Sequence, residues 1–497
     1  MSKFSFNLKR KELIDQIRDP IIYEFNLAKN LALLSNDPAI IRRFYQIDVM
    51  QYFKDPWLIM QIEDSFFRNY LRDQAFAYFG LIPMIVQSMV NLVAGGGFDC
   101  DSGNSQVDDN LNRLKESESL EQHFISGVYW ETGIGDFAYR ISYDPAHDQL
   151  KPLIDIVEPH HLEVNRNRGS IVSYVVKEVS EDDPSYELHE IHHINDDGFL
   201  TISYRFVVNG EYVAPNDKPM LKLCGTYFPS VDTSDKILPF RDFATIVYKQ
   251  NPNQNKLYKG ERGVPDIQGL DTIEEALTET ISDLIDAIRM GGLKVFLDQD
   301  LVPQNAQGEN QRVNYFNKRI IKPKGTGSTD GGNKLFETIQ GNIDWEAHIK
   351  PIQTLCSWGI NKASLSPTTV GLTGLESINS SAESQEARER TSIRTRELRL
   401  NSWAPKLREL INNYLRIDDY INNREILDYS GLIKIKFKDY INPSVENITE
   451  VLARQVDAGL KSHETAIKDL NEGFEQEDAK VELMKIESEE IVGIPPQ

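Results

Sequence analysis

Five of the nine histidines stand in two short runs, His160–His161 in VEPHHLEV and His189, His192 and His193 in YELHEIHHI. Imidazole is a common metal ligand and titrates near neutrality, so metal chemistry is the first possibility the residue types raise. If YELHEIHHI is a strand, its side chains alternate between faces. His189 and His193 then share one face with Glu187, and His192 takes the other. Two imidazoles and a carboxylate supply three donors of a zinc centre and leave the fourth to be found. A half-exposed strand in a polar sheet explains the same residues without a metal, and the sequence favours that account. The second possibility is phosphate binding. The nearest approach to G-x-x-x-x-G-K-[ST] is GTGSTDGGNK at 325–334, which has no hydroxyl residue after Lys334 and reads as a flexible connector. There is no G-x-G-x-x-G behind a strand and no G-x-S-x-G elbow. Cys100, Cys224 and Cys356 are each more than a hundred residues from the next. They fit neither a metal spacing nor a disulfide framework and read as reduced, buried thiols. Scattered acids such as Asp182 and Asp183 form no evident pair. The expectation is a protein that is not an enzyme and carries no cofactor and no metal.

The elements around these residues are those of a large mixed protein. A chain of 497 residues implies two to four structural units. With 40% hydrophobic and 26% charged residues, neither wholesale disorder nor a fibrous repeat fits. Asp and Glu outnumber Lys and Arg by 76 to 54, a net charge of −22. A protein that grips nucleic acid by neutralising phosphates has the opposite balance, so any DNA here is held by geometry or by a local patch. The amino terminus, MSKFSFNLKRKELIDQ, has no apolar signal core. The most hydrophobic run, 81–94, is too short for a bilayer and contains Pro83, Gln87, Ser88 and Asn91. No membrane association is expected.

Apolar residues recur at helical spacing over 13–34, 40–52, 57–79 and 81–94, the last closed by Gly95–Gly97. One more amphipathic helix is expected over 107–130. From Gly133 the period becomes that of strands: GDFAYRISYD, LIDIVEP, IVSYVVKEVS, YELHEIHHI and FLTISYRFVV, with Asn209–Gly210 as a hairpin signal. This predicts an antiparallel meander ending near Tyr248 and followed by the connector KQNPNQNKLYKG. Helix returns over 267–290, where Leu270, Leu277 and Leu284 repeat every seven residues beside Ile273, Ile281 and Ile288. Its other faces carry Asp271, Glu274, Glu275, Glu279, Asp283 and Asp286 against Arg289 alone. That pattern suits a solvated surface helix, and equally a rod packed beside copies of itself. The stretch 293–342 is irregular and β-like, with seven Lys/Arg against five Asp/Glu; its basic residues include Arg312, Lys318, Arg319, Lys322 and Lys324. A shorter helix over 343–363 contains Pro351, which implies a kink or a fresh start. The segment 364–381, SLSPTTVGLTGLESINSS, is a long loop charged only at Glu376. A long helix then runs from Ala382 to about Leu415. Its Arg388, Arg390, Arg394, Arg396 and Arg399 are interleaved with Glu386, Glu389 and Glu397, so intra-helix pairs account for much of the charge. The strand IKIKFKDY precedes Pro443, and 443–497 is helical and acidic.

Taken in order, these segments resemble a bacteriophage portal protein of the gp6-like, siphophage class. GDFAYRISYDPAHDQLKPLIDIVEPHHLEV is similar to the portal wing, SPTTVGLTGLESINSSAESQEARERTSIRTR to the tunnel loop and the long helix after it, and DYINPSVENITEVLARQVDAGLKSHETAIKDL to the crown. The resemblance implies an α+β portal fold. The wing would be 1–262, helical over 1–132 and a β meander over 133–248. Stem helix 1 would be 263–292, the clip, a small α/β insert, 293–342, and stem helix 2 343–363. The tunnel loop would be 364–381, the long helix and return to the wing 382–442, and the helical crown 443–497. It implies a ring of about twelve subunits at one vertex of the phage head. Double-stranded DNA would pass through the ring's channel in packaging and ejection without sequence recognition. The implied partners are further copies of the chain, the terminase large subunit that is the packaging ATPase, a head–tail adaptor, the major capsid protein and a scaffold protein. The protein would be assembled in the host cytoplasm and located in the virion.

On this reading Ser364, Thr368, Thr369, Gly371, Thr373, Gly374 and Glu376 line the narrowest part of the channel. The six acids from Asp271 to Asp286 make the stem slippery to DNA. The basic patch from Arg312 to Lys324 meets terminase or adaptor, although a solvated loop would look the same. The rivals are another head structural or scaffold protein, and a metal-dependent hydrolase built on His189 and His193.

Overall fold

A computed structural model describes residues 20–45, 77–102, 119–143, 151–229 (except 215), 234–252, 262–291, 294–297, 320–321, 336–339, 345–372, 382–438, 461–470 and 480–485, with isolated positions over 107–115 and 452–456. The chain forms two compact units, 1–437 and 438–497. The first opens with helices α1 (Pro20–Leu34), α2 (Pro38–Tyr45) and α3 (Leu81–Ala94), strand β1 (Phe98–Asp101), helix α4 (Leu120–Gly133) and strands β2 (Asp136–Ser142) and β3 (Leu153–Val157). A single 3-10 turn, Pro159–His161, leads into β4 (Leu162–Asn167), β5 (Ser170–Val179), β6 (Tyr186–Ile194), β7 (Leu200–Val208) and β8 (Glu211–Tyr212). Helix α5 (Lys218–Tyr227), β9 (Lys236–Leu238) and β10 (Ile246–Gln250) follow. Next come α6 (Asp271–Gly291), β11 (Lys294–Leu297), β12 (Ile320–Ile321), β13 (Phe336–Ile339), α7 (Trp345–Lys362), α8 (Ala382–Ile421) and β14 (Lys434–Phe437). The described helix of the second unit is α9 (His463–Leu470). Helices and largely antiparallel sheets together make the mixed class that the sequence indicates. No described helix is long and apolar enough to cross a membrane.

The core is organised around α3. Its sequence LIPMIVQSMVNLVA is apolar nearly all round, so it can only be stable when surrounded. Leu81, Ile82, Ile85, Val86, Met89, Val90, Leu92, Val93 and Ala94 are all buried. They share one cluster with Leu33 and Leu34 of α1, Phe124 and Val128 of α4, Leu277 of α6, Ile360 of α7, and Trp403 and Leu407 of α8. Strand β2 is covered on both faces, which explains why its run is more uniformly apolar than an alternating strand. Phe137, Tyr139 and Ile141 face this core, and Ala138 joins a second cluster with Val157, Leu162, Ile246 and Tyr248.

The strand region differs from the expected single meander. It forms two sheets, one ordered β10–β2–β3 and one ordered β4–β5–β6–β7–β8 with β9 also paired to β7. The return of β10 to β2 is a pairing of residues more than a hundred positions apart, which no local signal carries. Asn209 and Gly210 both have positive φ, 50° and 82°, as the hairpin signal requires. Helix α5 lies where no helix is expected; Asp217 caps it by accepting from Met220 N–H at 3.2 Å, with Pro219 in its first turn. The expected helix over 107–130 is interrupted at Ser119, whose φ of +48° is left-handed, and α4 starts only after it. Phe79, placed in a helix by its spacing, lies in the non-helical segment 77–80. Pro351 sits inside α7, which is one helix from Trp345 to Lys362 and not two. Likewise α8 holds Pro405 and continues past Leu415 to Ile421.

Candidate functional site

The helix pair α6–α7, the loop behind it and α8 are the elements that the sequence singles out, and all three are pinned to α3 and its neighbours by polar groups. Helix α6 carries a buried polar stripe, Glu274, Thr278 and Ser282, at four-residue spacing. Glu274 accepts from the backbone N–H of Gly80 through Oε1 and of Ile82 through Oε2, each at 2.9 Å. These are orphan donors at the start of α3. Gly80 has φ +78° and no side chain, so the cap comes from a carboxylate 194 positions away. Burial pushes Glu274 up to about 6, although the backbone donors pull it down. Lys29 pairs with Asp271 at 2.7 Å at the start of α6, and Lys362 Nζ donates to Gly269 O at 2.6 Å from the end of α7. Gly359 of α7 lies where a Cβ would meet Leu81 and Ile273.

This corrects two expectations. Glu274 is wholly buried and employed as a cap, so it cannot line a channel or face solvent. Leu270 and Leu277 are also wholly buried in the chain's own core, so the first half of the seven-residue seam is not free to meet another copy. Of the remaining acids, Asp271, Glu275 and Asp286 are half-buried, and Glu279 and Asp283 are exposed one turn apart. Apolar groups left uncovered are Ile288 on α6, Trp358 on α7 and Leu398 on α8; the last two are each 61% exposed.

The loop after α7 begins fixed. Leu365 and Val370 are buried. Ser366 N–H donates to Ser392 Oγ of α8 at 2.8 Å, and Thr369 Oγ1 donates to the same oxygen at 2.8 Å. Ser366 Oγ also bonds Thr368 Oγ1 at 2.9 Å, and Thr395 Oγ1 donates to Ser364 O at 2.8 Å. Of the hydroxyls read as an uncharged lining, that of Thr369 is therefore used to hold the loop's base on α8 and that of Thr368 is tied within the loop, whereas Ser364 is exposed and joins α8 through its carbonyl. Gly371, with φ +81°, is exposed. Thr373, Gly374 and Glu376 lie outside the described residues, as do Arg312, Lys318, Arg319, Lys322 and Lys324. Of 293–342 the structure gives a three-stranded sheet ordered β12–β11–β13, with β11 parallel to β12 and antiparallel to β13.

The arginines of α8 divide by depth. Nothing is described of the Arg388 side chain; Arg390 and Arg394 are exposed. Arg396 Nε donates to Leu92 O at the end of α3 at 2.9 Å. Arg399 is buried between Asp266 and Glu131. Glu131 in turn accepts from Lys249 Nζ at 2.5 Å and from Trp403 Nε1 at 2.6 Å. Lys249 also donates to Ser402 Oγ at 3.0 Å, and Asn251 Nδ2 donates to Asp266 at 3.2 Å. Burial lowers the Lys249 pKa and raises that of Asp266, in each case against the pull of an opposite charge. Two carboxylates and two cations thus join α4, β10, the segment before α6, and α8. Sequence reading missed Glu131, Lys249 and Asp266. The one available signal was a lysine in the otherwise apolar run ATIVYKQ.

The histidines of β6 are not brought together. His189 is buried with Glu187 at 2.8 Å on Nε2 and Tyr212 at 3.3 Å on Nδ1. His192 is buried between Glu190 at 2.7 Å and Thr245 at 2.9 Å. Each imidazole has its own carboxylate two residues earlier, so both are satisfied structural side chains. His193 lies 3.5 Å from Ser203 Oγ. Among the described residues, the group of ligand-type side chains lying together is Glu158, His160 and His161.

A family model described as "Phage portal protein, SPP1 Gp6-like" matches residues 185–493, well over half the chain. No curated protein matches the sequence. Among solved structures, a chain of the "Neck of empty GTA particle computed with C6 symmetry" is similar at 11% identity and TM-score 0.44, over 80% of this chain and 91% of that one. A chain of the "Neck of native GTA particle computed with C12 symmetry" gives 12% identity and TM-score 0.42, over 80% and 91%.

Proposed function

Since the chain belongs to the SPP1 Gp6-like phage portal protein family, we propose that it forms a ring of about twelve copies at one vertex of a phage head. The ring is the channel for packaging and ejecting double-stranded DNA, and the dock for a terminase ATPase and then a head–tail adaptor. The family match carries this reading. The wing is 1–262, the stem helices 263–292 and 343–363, the clip 293–342, the tunnel loop 364–381, the long helix and return 382–442 and the crown 443–497. Four physical features support it. The helix pair α6–α7 is fixed at its base by Glu274, Lys29 and Lys362, as a strut that bears load from one end must be. Ile288 on α6, Trp358 on α7 and Leu398 on α8 leave apolar surface for a neighbouring copy to cover. Glu279 and Asp283 put exposed negative charge on α6, and a net charge of −22 opposes a fixed grip on phosphate. The basic residues from Arg312 to Lys324 suit an acidic docking partner. The major capsid protein and a scaffold protein surround the ring in the head, and the ring stays in the virion. The test is to assemble heads with and without the protein. Heads lacking it should fill with no DNA and join no tails. DNA-filled, tailed particles assembled without it would refute the assignment.

A further inference from the structure

The 3-10 turn between β3 and β4 brings Glu158, His160 and His161 together. We propose that these three side chains bind one divalent transition-metal ion of the zinc class. In a 3-10 helix there are three residues per turn, so positions i and i+3 eclipse. Glu158 and His161 are so related, and His161 N–H donates to Glu158 O at 2.9 Å to close that turn. Pro159 fixes the backbone at the turn's start. One donor atom from each of the three residues lies within 4.8 Å of the others. His160 Nε2 and Glu158 Oε2 are 3.2 Å apart. With metal–ligand bonds of about 2.0–2.1 Å, the edge of a tetrahedron is about 3.3–3.4 Å, so this pair already spans one edge. The two imidazole rings are 4.0 Å apart between centroids, which places the second nitrogen donor beside the first.

A second observation concerns the surroundings. Glu158 and His161 line a cleft of about 540 Å³ whose walls also carry Asp155, Glu178, Glu181 and Asp182 against Arg140 and Lys177. The excess of carboxylates favours a cation there. Two imidazoles and one carboxylate select zinc, nickel, cobalt or copper over magnesium or calcium, which prefer all-oxygen sets. Three protein ligands leave a coordination position for water. The turn packs on β2, β4 and β5. A bound ion would therefore clamp the link between the sheet containing β2 and β3 and the sheet that begins at β4, tightening the fold without any catalytic step.

The experiment titrates Co²⁺ and Zn²⁺ into the untagged full-length protein. Cobalt should give the visible absorption of a tetrahedral site at one equivalent per chain, zinc should displace it, and zinc should raise the unfolding temperature. The double substitution His160→Ala/His161→Ala should abolish all three effects. Glu158→Gln should weaken binding by more than about tenfold, since even loss of an outer-shell partner costs that much. His193→Ala should change nothing. If circular dichroism shows the double variant misfolded, Glu158→Gln alone decides. Failure to bind one equivalent, or binding unchanged by Glu158→Gln, overturns the assignment. The outcome is independent of ring formation, which the same samples report by their mass.

Discussion

A carboxyl group such as that of Glu131, with no exposed surface, is stable in a protein interior only when it is paired and hydrogen-bonded. Lys249, Arg399 and Trp403 provide that compensation, and the pairing fixes the axial position of α8 against β10. Arg399→Ala should leave Glu131 and Asp266 short of a counter-charge and cost about 3–5 kcal/mol, the usual penalty for breaking a buried pair. Denaturant midpoints of the variant and parent would show it; a loss below about 1 kcal/mol would mean that Arg399 is not a structural counter-ion. Glu274 makes a different prediction, set by proton linkage. Its folded value of about 6 lies above the ordinary 4.5, so the folded chain holds a proton that the unfolded chain releases in that interval. Stability should therefore fall by about 2 kcal/mol in all as pH rises from well below 4.5 to well above 6, most of it between those two values, and this contribution should be constant from about pH 7 upward. Glu274→Gln should remove that slope, and an unchanged slope in the variant would place its origin elsewhere. None of these roles was legible from residue type. Arg399 stands in a run of arginines and Glu274 in a run of acids, and only tertiary burial separates each from its exposed neighbours.

At the scale of elements, the apolar run of α3, the regular faces of α6 and α8 and the alternation of most strands located them in the sequence. It failed where a long-range partner or a single backbone residue decides. Ser119 at positive φ splits a run of helical spacing, and Phe79 sits in the non-helical segment just before α3, whose first N–H groups Glu274 caps. Pro351 and Pro405 are accommodated inside helices because packing of the surrounding face outweighs one lost backbone bond. A tight junction between side chains is Gly127 of α4, where a Cβ would meet the Tyr139 hydroxyl and the rings of Phe137 and Trp403. The Trp403 ring stacks on Phe137 at 5.9 Å and meets Phe124 edge-on at 5.0 Å, so neither can yield without disturbing α4, β2 and α8 together. Gly127→Ala should cost about 1–3 kcal/mol by overpacking, although alanine is the better helix former at an open position. A neutral or positive shift in melting temperature would show that the junction is looser than these contacts imply.

For the whole molecule, the family was legible in the sequence, and the family match over 185–493 agrees with it. Which surfaces meet other copies was not, because the seam on α6 that suggested self-association is largely used inside the chain. In the proposed ring, Glu279 and Asp283 are the acids of α6 left exposed to meet DNA. Each fixed lysine–phosphate contact would add a well of roughly 1 kcal/mol that a motor must climb out of, whereas carboxylates repel the backbone weakly through about 8–10 Å of screening. Glu279→Lys/Asp283→Lys should therefore slow packaging at low salt, recover as salt rises, and leave assembly intact; full packaging at low salt would remove this account of the stem. The central claim, that the chain closes into a ring around a channel, is tested most directly by single-particle electron microscopy of the purified protein. The account predicts closed rings of about twelve copies with an open axial hole. Particles that remain monomeric at every concentration and salt, or that stack into open filaments without an axial channel, would contradict it.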